Sequence, residues 1–163
     1  MIIQRGLNNH NVICRYVVLG NHDHYGDAEA QIQFSGMKPS PDAGGRKWIL
    51  PHFFWTMEQV VGSAKVQLVF IDTALLDLDI TRKTLEEKIS HGVVNESALA
   101  HFDSHRPARE KHGEDQLGWL EGILSASSAD FLIVIGHYPV YSGGEHGSTQ
   151  SLLTKVGRNT IDH

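Results

Sequence analysis

Three apolar runs punctuate the chain, each leading directly into polar side chains. They are VICRYVVL at 12–19, VQLVFI at 66–71 and FLIVI at 131–135. Runs of this length, rich in β-branched and aromatic residues, predict buried strands. The first and third are near-continuous rather than alternating, the pattern of strands covered on both faces. Helical periodicity appears at 27–34, where Asp27 is a candidate cap, and at 81–90, an exposed, charged stretch. A third helical stretch, 114–125, puts Leu117, Leu120 and Leu124 on one face, and a fourth begins at 148–156. Residues 37–46 carry two prolines and two glycines and read as a loop. Residues 91–113, polar and rich in histidine, read as a surface insertion or flap. Strands mixed with helices predict an α/β layered domain.

The residues just past each strand carry the chemistry. The first run ends in Gly20-Asn21-His22-Asp23-His24, the second in Asp72-Thr73, the third in Gly136-His137-Tyr138-Pro139. Ligands of α/β sheets bind beyond the carboxyl ends of strands, so the three ends predict one site. A glycine turns the chain off the strand, an Asn carbonyl is a neutral oxygen ligand, and an imidazole binds metal or carries a proton. Gly143-Gly144-Glu145-His146-Gly147 is a flexible loop able to present His146 to a substrate. Each motif alone also reads as an ordinary turn.

Composition narrows the field. Of 163 residues, 40% are hydrophobic and 20% charged, as in ordinary globular domains. The net charge is −5 without a basic block, which argues against nucleic acid as the main partner. A phosphate ester would need local positive charge from metals or from the 11 histidines. The single cysteine, Cys14, excludes an internal disulfide and reads as a buried core thiol. No stretch is apolar enough to span a bilayer, and MIIQRGLNNHN lacks the apolar core of a secretory signal.

GNHDHYGDAEAQIQFS, FIDT, EDQLGWLEGIL and FLIVIGHYPVYSGGEHG occur in that order with compatible spacing over about residues 16–153. This series resembles the mammalian-type purple (tartrate-resistant) acid phosphatases of the calcineurin-like metallophosphoesterase superfamily. The resemblance implies a four-layer α/β/β/α sandwich with mixed sheets, here as one partial domain over 1–163. It implies hydrolysis of phosphate monoesters by a metal-bound hydroxide at a dinuclear site of Fe with Zn or Mn. Asn21 and His137 match ligands of the divalent metal, and His22 and His146 match the catalytic histidines that contact phosphate or the leaving group. Asp72 reads as structural, and Asp23 and His24 as supporting. Members are often secreted or lysosomal.

The family's D-x-G and G-D-x-x-Y ligand motifs have no counterpart ahead of Gly20, and its G-H-x-H motif has none after the GHYP segment. The chain is therefore expected to lack the first strands and the closing strand, and to leave hydrophobic edges exposed. It is expected to hold only the divalent half of the metal site. Two neutral ligands cannot by themselves offset the charge of two cations. Two alternatives stay open: a non-catalytic form that binds phosphate or protein, and a phosphodiesterase or nucleotide hydrolase of the same superfamily.

Overall fold

The computed structural model describes residues 2–6, 13–37, 47–144 and 147–156. Among these residues, six strands form two sheets of three. In the first, β1 (Ile2–Gly6) pairs antiparallel with β2 (Ile13–Val17), and β3 (Lys47–Ile49) joins β2 in parallel. In the second, β4 (Trp55–Val61) and β5 (Ala64–Phe70) make an antiparallel hairpin, and β6 (Phe131–Ile135) lies parallel to β5. A 3-10 helix, Asn21–Tyr25, comes after β2, and then α1 (Ala28–Gly36). Helices α2 (Thr73–Leu76), α3 (Leu78–Ser90) and α4 (Ser97–Ala126) connect β5 to β6, and α5 (Gln150–Lys155) comes last.

Strand alternation sorts side chains into layers. Tyr16, Val18, Ile49, Trp55, Met57, Leu68, Phe70 and Ile135 form a core between the two sheets. There Trp55 stacks on its cross-strand partner Phe70, with ring centroids 4.0 Å apart. The other face of the first sheet, with Val17, packs on α1, α3 and the start of α4, around Leu85 and Phe102. The other face of the second, with Val69 and Val134, packs on the end of α4 and α5, around Leu120 and Leu152. The result is the expected α/β/β/α order with mixed sheets. Each fully buried Leu or Phe contributes roughly 1.5–3 kcal/mol of transfer free energy.

Several expectations change. Most of the supposed flap at 91–113 is helix, because α4 begins at Ser97 and runs 30 residues through Pro107. Its buried positions include Phe102, Arg109, Gly113, Gln116 and Leu120, which keep helical spacing. Three of those, Arg109, Gly113 and Gln116, are not hydrophobic, so the apolar pattern fades ahead of Leu117. Helix α3 starts earlier than expected because Asp77 caps it, accepting from Ile80 N. Cys14 is half-buried rather than a core thiol. β6 is not covered on both faces: Phe131 and Ile133 are exposed, as are Val60 and Val61 of β4. Among the described residues β6 pairs on one side only. No helix among them is long and apolar enough to cross a membrane.

Candidate metal-binding site

The site lies where the carboxyl end of β2 meets the carboxyl end of β6, one from each sheet. Gly20 N donates to Asp23 Oδ2 at 2.8 Å, which folds the chain into the 3-10 helix directly after the strand. That turn presents Asn21, which is buried, and His22, which is exposed. The Asn21 amide is oriented from behind: Nδ2 donates to Tyr25 Oη at 2.8 Å and reaches Thr84 Oγ1 at 3.4 Å. Its Oδ1 therefore faces outward, and His137 Nε2 donates to it at 3.0 Å.

Both motif glycines permit this approach. A Cβ on Gly20 would sit 3.0 Å from the His137 ring. A Cβ on Gly136 would sit 2.5 Å from the Thr73 methyl, closer than side chains tolerate. Thr73 in turn holds the His137 turn, since its Oγ1 accepts from Tyr138 N at 2.7 Å. Partial burial of the His137 ring holds its pKa below the ordinary 6.5, although the residue as a whole is exposed. Tyr138 is pushed the other way, its phenol pKa raised by burial, so it stays protonated and is a poor anionic ligand.

The carboxylates nearby are committed elsewhere. Asp23 accepts from Gly20 N and from Gln31 Nε2. Asp72 is fully buried: its Oδ2 accepts from His24 Nε2 at 2.7 Å, and its Oδ1 accepts from Ala74 N and Leu75 N. Gln116 clamps the Asp72 backbone on both sides, at 2.7 and 3.0 Å. Asp72 thus ties the 3-10 helix to the second sheet. The supporting contacts of Thr73, Tyr25 and Thr84 escape sequence reading, although Thr73 sits inside the FIDT segment. His22 packs its ring 5.0 Å from that of Tyr25. His146 lies outside the described residues.

The donor set can be tested against a metal. Two donors at about 2.1 Å from one ion, at a right angle, stand about 3.0 Å apart. Asn21 Oδ1 and His137 Nε2 have that separation. They fit two adjacent positions of one coordination sphere, with an ion replacing the proton now between them. They do not complete it: among the described residues no group of three His, Cys, Asp or Glu side chains converges.

A family model for calcineurin-like phosphoesterases matches residues 3–162. The chain belongs to that family. Tartrate-resistant acid phosphatase type 5 of Homo sapiens is 31% identical over 141 residues, which is 86% of this chain and 37% of that protein. Purple acid phosphatase 17 of Arabidopsis thaliana is 32% identical over 151 residues, 90% of this chain and 38% of the relative. The chain thus spans little more than a third of either relative's length. The solved structure of GAP50, the anchor in the inner membrane complex of Plasmodium, superposes with a TM-score of 0.58 at 22% identity. That likeness covers 89% of this chain and 38% of the other, and it is one of fold.

Proposed function

We propose that this chain carries the divalent-metal half of a phosphomonoesterase site, with Asn21 and His137 as adjacent ligands of one ion. The observation that carries this reading is the 3.0 Å approach of Asn21 Oδ1 and His137 Nε2 from two different sheets. A divalent ion there, zinc, manganese or ferrous iron, would polarise a phosphoryl oxygen and offset charge developing on it. To take the ion, His137 must shift its proton from Nε2 to Nδ1, and its depressed pKa favours the neutral ring this requires. His22, exposed and next to Asn21, would donate to a phosphate oxygen. His146 supplies the proton for the leaving group. The ferric partner ion and its anionic ligands have no counterpart among the described residues.

A second reading is binding of phosphate or protein without turnover. It is favoured by the absence of a third converging ligand among the described residues. Metal uptake and hydrolysis of an aryl phosphate between about pH 4 and 7 separate the two. Uptake of one divalent ion per chain, lost in both Asn21→Ala and His137→Ala, supports the half-site. Turnover abolished by His146→Ala supports catalysis, and uptake without turnover supports the second reading. A chain that takes up no zinc, manganese or iron refutes the metal site.

A further inference from the structure

A cavity of about 230 Å³ lies between α4, the start of α1, His24 and Phe53. It shares no lining residue with the Asn21–His137 pair. Arg109, a buried residue at 7% exposure, is among its lining residues. Arg109 stacks over Phe102, 4.7 Å from the ring centroid. Among the described residues its guanidinium donates to two carbonyl oxygens, of Phe102 at 3.3 Å and Gly26 at 3.5 Å. No carboxylate among the described residues forms an ion pair with it; Asp72, whose charge is felt at the guanidinium, is already bound to His24. A buried guanidinium without an anion is an unfavourable arrangement unless something supplies one.

A second observation points to a ligand independently. His24 is fully buried and lines the same cavity. Its Nε2 is taken by Asp72, and its Nδ1 has no hydrogen-bond partner. The stripe His101, His105, Arg109, His112 runs along the α4 side of the cavity. His101 Nε2 donates to Gly26 O and His105 Nδ1 to His101 O, so each ring keeps its other nitrogen open.

We infer that this cavity binds a small oxyanion that carries a dissociable proton, with phosphate as the chemical type. Its charged oxygens take the unused donors of Arg109, and its hydroxyl donates to His24 Nδ1. The volume lies below the roughly 300–1,000 Å³ of pockets for larger ligands, which excludes a nucleotide. The rival occupant is a transition-metal ion, because Asp27 and Glu29 stand at the rim beside the histidines. Against it, Asp27 already caps α1 through Ala30 N, Arg109 repels a cation, and the described histidines and carboxylates do not converge in threes. The site stands apart from the proposed metal site and does not depend on it.

Titration of inorganic phosphate into the purified chain, monitored by the histidine ring signals in NMR, tests this. Saturable shifts of His101, His105 and His112 are expected, unchanged in the double variant Asn21→Ala/His137→Ala. Arg109→Gln should weaken binding by more than about tenfold, the scale for removing one side of an enclosed charge pair. His105→Ala, at an exposed position that leaves the fold intact, should weaken it as well. The inference is overturned if phosphate moves only His22 and His137, or if no ring signal saturates. It is equally overturned if Zn²⁺ shifts the stripe and phosphate does not, or if both substitutions leave the affinity unchanged.

Discussion

Removing the Asp72 carboxylate is the sharpest test of how this fold is held. Asp72 has no exposed surface, and neither does its partner His24. In Asp72→Ala the His24 Nε2–H loses its acceptor at 2.7 Å, and Ala74 N and Leu75 N lose the cap of α2. Breaking a buried pair by deleting one partner costs about 3–5 kcal/mol, because the other is left unsatisfied in a low-dielectric interior. Loss of the cap adds about 1 kcal/mol. Neutral His24 would bring the pair down to a charge-assisted hydrogen bond of about 1.5–3 kcal/mol. The bracket is therefore about 3–6 kcal/mol, a large share of the roughly 5–15 kcal/mol that holds a domain together.

Urea and thermal unfolding monitored by circular dichroism measure it. At about 2–4 °C per kcal/mol for a chain of this size, the melting temperature should fall by roughly 6–24 °C. Asp72→Asn should fall between parent and Asp72→Ala. It keeps the shape, but its NH2 must face either His24 Nε2–H or the α2 amides, donor against donor. A loss below about 1 kcal/mol for Asp72→Ala would refute the claim that this pair is buried and unhydrated.

Gly136→Ala places a methyl 2.5 Å from Thr73 Cγ2 and should destabilise by about 1–3 kcal/mol; adding Thr73→Ser removes that methyl, keeps the hydroxyl for Tyr138 N, and should recover most of the loss in urea titrations. In a chelated sample the His137 ring should titrate below 6.5 by NMR. The unfolded chain then takes up the proton first, so the stability contribution is whole above pH 6.5 and is lost as pH falls through the folded value; a midpoint at or above 6.5 contradicts the desolvation argument. Leu120→Ala, at a fully buried position against the second sheet, should cost about 2–5 kcal/mol in the same unfolding assay.

Apolar patterning decides which elements are legible in the sequence. β2, β5 and β6 stand out because each is an unbroken apolar run or nearly so, even though Phe131 and Ile133 of β6 are exposed. The hairpin partner β4 does not, since Thr56 and Glu58 interrupt Trp55 and Met57, although Gly62-Ser63 marks its turn. The part of α4 before Glu114 escapes because it buries Arg109 and Gly113 where a pattern reader looks for Leu. The meeting of Asn21 and His137 is foreseeable from strand ends, since both lie just past apolar runs. The His24–Asp72 contact joins residues 48 apart through polar atoms, and no periodicity reports such a pair. The position of His146, by contrast, falls outside the described residues.

The chemistry of the ligand pair also says how folding and metal are related. A site built from clustered carboxylates repels itself until a cation arrives, so folding and metal binding become one equilibrium. Here both donors are neutral, and each satisfies the other through one hydrogen bond. Asp23 and Asp72, the acids close by, have their oxygens occupied by backbone amides, Gln31 and His24. Among the described residues neither of these two acids is left waiting for an ion. The proposed half-site is therefore assembled before any metal binds, with Asn21 Oδ1 and His137 Nε2 already 3.0 Å apart. The ion then replaces a proton rather than organising a loop. Its binding should stabilise the chain only by mass action, so a chelator should lower the melting temperature by that term and leave the circular dichroism of the folded state unchanged.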